Sequence, residues 1–205
     1  STVFYPPTIF ELRPGNIRRD PLRVNCLGRI SPDKRILEII GIVENARRIS
    51  GLAVTLHIGG RLDADPYSGR LRAAAAENDW IILHGAVYRE EKEKFLLSGT
   101  YAVHAERDEA FGISVAEYLK AGNIAIVPDE GGSQEIVNVP DLTYRDPEEA
   151  SRILVRLLTD GTFRGEQRRN CAARAECFSR QNYLENQKLL LNRIIAGEPV
   201  SPSGK

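Results

Sequence analysis

The sequence predicts an α/β domain with a mostly parallel sheet of about six strands, and three observations lead there. Short apolar runs alternate with longer amphipathic ones along nearly all of the 205 residues, the pattern of strands joined by helical crossovers. The apolar runs open into glycine or polar loops, as at Leu27-Gly28 and Ile58-Gly59-Gly60. In a parallel sheet such loops gather at one edge, where helix N-termini add unpaired amides and a partial positive charge. A hydrophobic share of 42% is enough for one ordinary core. Together these describe a three-layer, Rossmann-like domain.

The elements follow in order. Residues 1–20 are rich in Pro and Arg, lack periodicity and read as an interdomain linker. Residues 21–180 form the domain, 181–196 a terminal helix and 197–205 a disordered tail. Leu22–Leu27 is the first strand. Ser31 then suits an N-cap, Pro32 the first helical position and Asp33 the dipole, so one helix is expected from there to Gly51. Val54–Ile58 is the second strand, closing on Gly59-Gly60. Asp63–Gly69 reads as a polar insertion, Leu71–Glu77 as a helix and Trp80–Leu83 as the third strand, followed by the loop His84-Gly85-Ala86-Val87-Tyr88. A charged helix spans Glu90–Leu97. Tyr101–His104 and Ile124–Val127 are strands, with a helix starting near Gly112 between them. Leu142–Tyr144 is a last short strand; helices cover Pro147–Leu158, Phe163–Ser179 and Asn182–Ala196, the last with Leu184, Leu189, Leu190, Ile194 and Ile195 apolar.

The chemistry centres on Asp108-Glu109-Ala110-Phe111-Gly112-Ile113-Ser114-Val115-Ala116-Glu117. A phosphate would sit above the amides of Gly112, Ile113 and Ser114 at the helix start. Glu117 lies about 7.5 Å along that helix at roughly 1.5 Å per residue, and side chains lean toward the N-terminus. Its carboxylate would therefore reach a ribose on the same phosphate, since carboxylates accept from vicinal hydroxyls. Glu109 would face the group beyond the phosphate. Lys34 stands in a first helical turn, where a cation opposes the dipole and makes more sense beside an anion. Gly131-Gly132 and Gly59 would let backbone approach a ligand.

These residues resemble the retaining glycosyltransferases of family 4, whose GT-B fold sets two Rossmann-like domains around a cleft. The family's C-terminal domain carries two glutamates separated by seven residues with Phe-Gly after the first, as Glu109, Phe111, Gly112, Ile113 and Glu117 stand here. The resemblance implies that Glu109 contacts the donor sugar, Glu117 the ribose and the amides after Gly112 the diphosphate. Gly28-Arg29 with Lys34 matches the diphosphate-binding pair, although the family often has Gly where Arg35 stands. Gly131-Gly132-Ser133-Gln134-Glu135-Ile136-Val137 is similar to a third motif, and the loop with Val87 implies contact with the base. His104 matches a subgroup acting on lipid-linked oligosaccharides. The implied reaction moves a sugar from a UDP- or GDP-sugar to a glycan or lipid-linked acceptor with retention, mannosyl transfer and polysaccharide assembly being examples. The donor is a substrate; no other cofactor and no metal is implied. A Tyr-Pro-Pro stretch like Tyr5-Pro6-Pro7 joins the family's two domains, which implies an N-terminal, acceptor-binding partner domain outside this chain.

Plainer readings stand beside these. Glu117 pairs with Lys120, Arg29 and Lys34 are surface charges, His104 is a satisfied strand-end residue, and Gly59-Gly60 is a tight turn. His57 and His84 read as strand residues. A nucleotide-sugar-binding module without activity and a GT-B-fold epimerase are the alternative functions. Lys and Arg balance Asp and Glu at 28 each, so no overall field favours nucleic acid. Cys26, Cys171 and Cys177 lack metal spacing and suggest reduced thiols in the cytoplasm, with peripheral membrane association through the partner domain. No Walker pattern, Gly-x-Gly-x-x-Gly or nucleophile elbow occurs.

Overall fold

The computed structural model describes residues 17–196; most of the expected linker and the whole expected tail lie outside that range. Six strands form one parallel sheet: β1 (Asp20–Leu27), β2 (Thr55–Gly59), β3 (Ile81–Gly85), β4 (Gly99–Val103), β5 (Ile124–Pro128) and β6 (Thr143–Tyr144). Their spatial order is β3-β2-β1-β4-β5-β6. The chain winds outward from β1 to β3, then returns to place β4 on the other side of β1. This reversal matters because loops leaving adjacent strands there diverge and leave a crevice at the carboxyl edge.

The helices are α1 (Ile36–Ser50), α2 (Pro66–Glu77), α3 (Arg89–Ser98), α4 (Ile113–Lys120), α5 (Gly131–Val137), α6 (Pro147–Thr159), α7 (Gly161–Ala175) and α8 (Arg180–Ile195). Helices α1 and α6 pack together on one face, and α3, α4 and α7 cover the other. Fully buried Val24, Leu56, Ala102 and Ala125 make the centre of the sheet apolar on both sides, as a covered parallel sheet requires. One polar exception fixes where α3 ends. Asn25, wholly buried, donates to the Phe95 carbonyl at 3.2 Å and to Asn123 Oδ1 at 3.0 Å, while Asn123 Nδ2 donates to the Leu96 carbonyl at 2.9 Å. These bonds satisfy helix-end carbonyls that would otherwise be buried without partners.

Two expected boundaries are corrected. The single helix expected from Pro32 is broken: a 3-10 turn covers Pro32–Lys34, Arg35 is left-handed with φ 49°, and α1 starts at Ile36. Ser31 makes no side-chain cap. The kink turns Lys34 off the axis of α1. The expected polar insertion is largely helix, because Asp65 accepts from the amides of Tyr67 at 2.8 Å and Ser68 at 3.1 Å and Pro66 takes the first helical position. The terminal helix forms as expected, and Leu184, Leu189, Ile194 and Ile195 on it are exposed. All three cysteines are free. No helix among the described residues is long and apolar enough to cross a membrane.

Candidate active site at the sheet reversal

Strands β1 and β4 are neighbours, so the loop after β1 and the loop after β4 rise side by side. That adjacency brings Lys34 to Glu109 with Nζ 3.0 Å from Oε2. Lys34 also bonds Glu106, a residue that the sequence did not single out. Burial alone would lower the pKa of Lys34, but its hydrogen bonds to Glu106 and Glu109 outweigh that and raise it. Burial acts against ionised Glu109 too, yet hydrogen bonds with Glu106 and Lys34 and the charge of Lys34 bring it down to about 2. Glu106 moves the other way, raised by burial and by its bond to Glu109. Glu109 is thus the ionised member of the pair and Glu106 the one that takes a proton first.

His104 lies just beyond β4. Its amide donates to the Ile126 carbonyl at 3.0 Å, and its own carbonyl accepts from Tyr144 at 2.8 Å. Fixed in this way, the ring is 5% exposed, and burial, helped by Lys34 and opposed by Glu109, lowers its pKa to about 4. The neutral ring directs Nε2 toward Glu109 Oε2 at 3.6 Å, beyond a hydrogen bond, and that nitrogen has no partner among the described residues. One atom each of His104, Glu106 and Glu109 lies within 4.8 Å of the others, a spacing that suits a cation. The cation found between the two carboxylates is the ammonium of Lys34.

Gly112 caps α4 with φ 91°, a conformation that glycine adopts at no steric cost. The first-turn amides of Ile113 and Ser114 have no acceptor within the helix. Tyr118 ties α4 to β1 by donating to the Leu27 carbonyl at 3.2 Å and accepting from the Leu27 amide. Glu117 is buried, and its partner is Lys92 of α3, with Nζ 2.6 Å from Oε1; Lys92 was not anticipated either. Phe111 packs against the core beside this helix start.

The glycines have a more structural part than expected. A Cβ on Gly132 would sit 2.5 Å from the Ala110 carbonyl oxygen, and one on Gly131 the same distance from that of Arg107. The Gly132 amide donates to the Glu109 carbonyl at 2.6 Å. That backbone, expected to approach a ligand, is used to seat the loop that carries Glu109. Gly59 is closed in by Val87 and Phe95, with Val87 Cγ2 3.1 Å from where a Cβ would be, so it shapes the loop expected to meet the base. Arg29 is not drawn into the Lys34 cluster: its side chain is 76% exposed and pairs with Asp33 at 3.2 Å.

A lysine, paired carboxylates and the first-turn amides of a helix thus meet at the sheet reversal, the edge at which open parallel α/β sheets bind their ligands. The chain belongs to the glycosyl transferases group 1, whose family model matches residues 9–177. Solved structures agree on the fold. The pneumococcal O-GlcNAc transferase GtfA, in complex with UDP and GlcNAc, superposes with a TM-score of 0.76 at 17% identity over 92% of this chain and 38% of its own. The Anabaena protein HepE, in complex with UDP and glucose, gives 0.69 at 16% identity over 83% and 48%. A variant of S. aureus TarM gives 0.67 at 15% over 89% and 38%. The chain thus spans less than half the length of each of these structures, and its fold is that of one Rossmann-like half of a GT-B glycosyltransferase. No curated protein matches it in sequence.

Proposed function

We propose that this chain is the donor-binding half of a retaining, family 4 glycosyltransferase that passes a hexose from a UDP- or GDP-sugar to a glycan or lipid-linked acceptor held by a partner domain. The observation that carries the reading is the meeting of Lys34 with Glu109 across the sheet reversal. Lys34 then opposes the charge that builds on the departing diphosphate, the main electrostatic task of the reaction. The amides of Ile113 and Ser114 complete the cradle. Glu109, ionised and acceptor-only, orients the sugar hydroxyls; Glu117 holds the ribose, turning binding into positioning. Arg29 joins by swinging from Asp33 to the diphosphate, where its forked guanidinium makes paired bonds. The UDP complexes of GtfA and HepE support a uridine donor by likeness of fold.

Calorimetric titration with UDP, GDP, ADP and their nucleosides tests this. One diphosphate binds at least about tenfold more tightly than its nucleoside, equivalent to about 1.4 kcal/mol. Lys34→Ala removes that difference, whereas Glu109→Ala does not weaken diphosphate binding and harms only the sugar-nucleotide. Equal affinity for nucleoside and diphosphate would sink the phosphate assignment.

A further inference from the structure

The site as it stands is poorly charged for a diphosphate. One ammonium lies between two carboxylates, Glu106 and Glu109, leaving an excess of one negative charge where a multiply charged anion must come. Glu109 has a role in the donor reading; Glu106 has none. With only 14% of its side chain exposed, Glu106 is no stray surface charge.

We propose, resting on the donor-site reading, that Glu106 is an internal competitor for Lys34 and governs how readily the nucleoside diphosphate leaves. Lys34 has two alternative anions: the Glu106–Glu109 pair when the site is empty and the diphosphate when it is filled. Arrival of a donor draws Lys34 away and frees Glu109 for sugar hydroxyls. His104 Nε2, buried and without a partner among the described residues, lies 3.6 Å from the released carboxylate and is placed to donate to it, so Glu109 is not left bare. After transfer, Glu106 recaptures the ammonium and weakens the hold on the product. A weaker hold on the product speeds its departure, which favours turnover where product release is slow. Glu106 acts through Lys34 and is a positioning residue.

The test is Glu106→Gln in the full chain, titrated with UDP, GDP and inorganic pyrophosphate, with dissociation followed by stopped flow. Glu106→Gln binds the preferred nucleoside diphosphate about tenfold more tightly, chiefly through slower dissociation, and binds the nucleoside unchanged. In a Lys34→Met background the same substitution brings no gain, which a merely structural role for Glu106 does not predict. Glu106→Ser, removing the carboxylate differently, shifts affinity in the same direction and covers the case of a poorly folded glutamine variant. Equal or weaker binding in both Glu106 variants, or a gain that persists without Lys34, overturns the proposal while leaving the donor site standing. Absence of nucleoside-diphosphate binding by parent and variants alike overturns the donor site, and this inference with it.

Discussion

Lys92 shows what a residue can conceal. In the sequence it is one of several charges on a polar helix, but in the fold its ammonium is 2.6 Å from the buried Glu117. A buried carboxylate without a cation is costly, and Lys92 supplies that cation at Oε1 of Glu117; in the proposed donor site it thereby orients the carboxylate that holds the ribose. Lys92→Met should weaken nucleoside binding about fivefold and leave pyrophosphate binding unchanged, as paired titrations would reveal; an equal loss for both ligands would mean that Lys92 serves the phosphate instead. The motif Glu109, Phe111, Gly112, Glu117 was legible because it lies within one loop and one helix. Glu106 and Lys92 were not, because each takes its meaning from a partner on a different element, and no periodicity in one sequence joins the loop after β4 to the loop after β1 or α3 to α4. Arg29 was named for its spacing, yet Asp33 four residues on supplies a nearer partner.

Among elements, the break between the 3-10 turn and α1 is the most instructive. Ser31-Pro32-Asp33 is a good helix start, and nothing in Arg35 announces an interruption. The left-handed backbone at Arg35, φ 49° and ψ 37°, costs a non-glycine residue about 1–2 kcal/mol. It is offset in part by an ion pair with Glu38 at 3.3 Å, worth at most about 1 kcal/mol at such exposure. Arg35→Gly should therefore melt close to or above the parent, and Arg35→Val below it by at least about 1 kcal/mol; thermal unfolding gives the order, and the reverse order would show that this turn is not strained. The glycine common at this point in the resembled family thus has a backbone reason. The early start of α2 was missed for the opposite cause, since Asp65-Pro66 is a good capping pair set within a run of loop-like residues.

For the whole molecule, alternation of runs was enough to foresee a parallel sheet of six strands, while the order β3-β2-β1-β4-β5-β6 arises from how crossovers pack and is written in no single segment. The balance of charge also has a global consequence. All three histidines have lowered pKa values: His104 to about 4, mainly by burial; His57 to about 4, by burial and the nearby charge of Arg23; and His84 for the same two reasons. The unfolded chain takes up these protons near the ordinary value of 6.5, whereas folded His104 and His57 do not until about 4, and folded His84 also lags behind the unfolded chain. Stability should accordingly fall as pH drops from 6.5 toward 4, the side on which the unfolded state binds more protons. Glu109, depressed to about 2, keeps its contribution down to its ordinary value of 4.5 and loses it progressively below that, while Glu106, raised, opposes the fall. Melting temperatures across this range should decline more steeply for the parent than for His104→Asn, and parallel curves would deny the buried histidine its part. The pairing of β1 with β4 bears on synthesis as well. Lys34 and Glu109 are 75 positions apart, and the pairing of β1 with β4 brings them together, so on the proposed reading a growing chain has no anion clamp until the sheet's two central strands have met. On that reading the ability to hold nucleotide and the closing of the domain's middle arrive as one event.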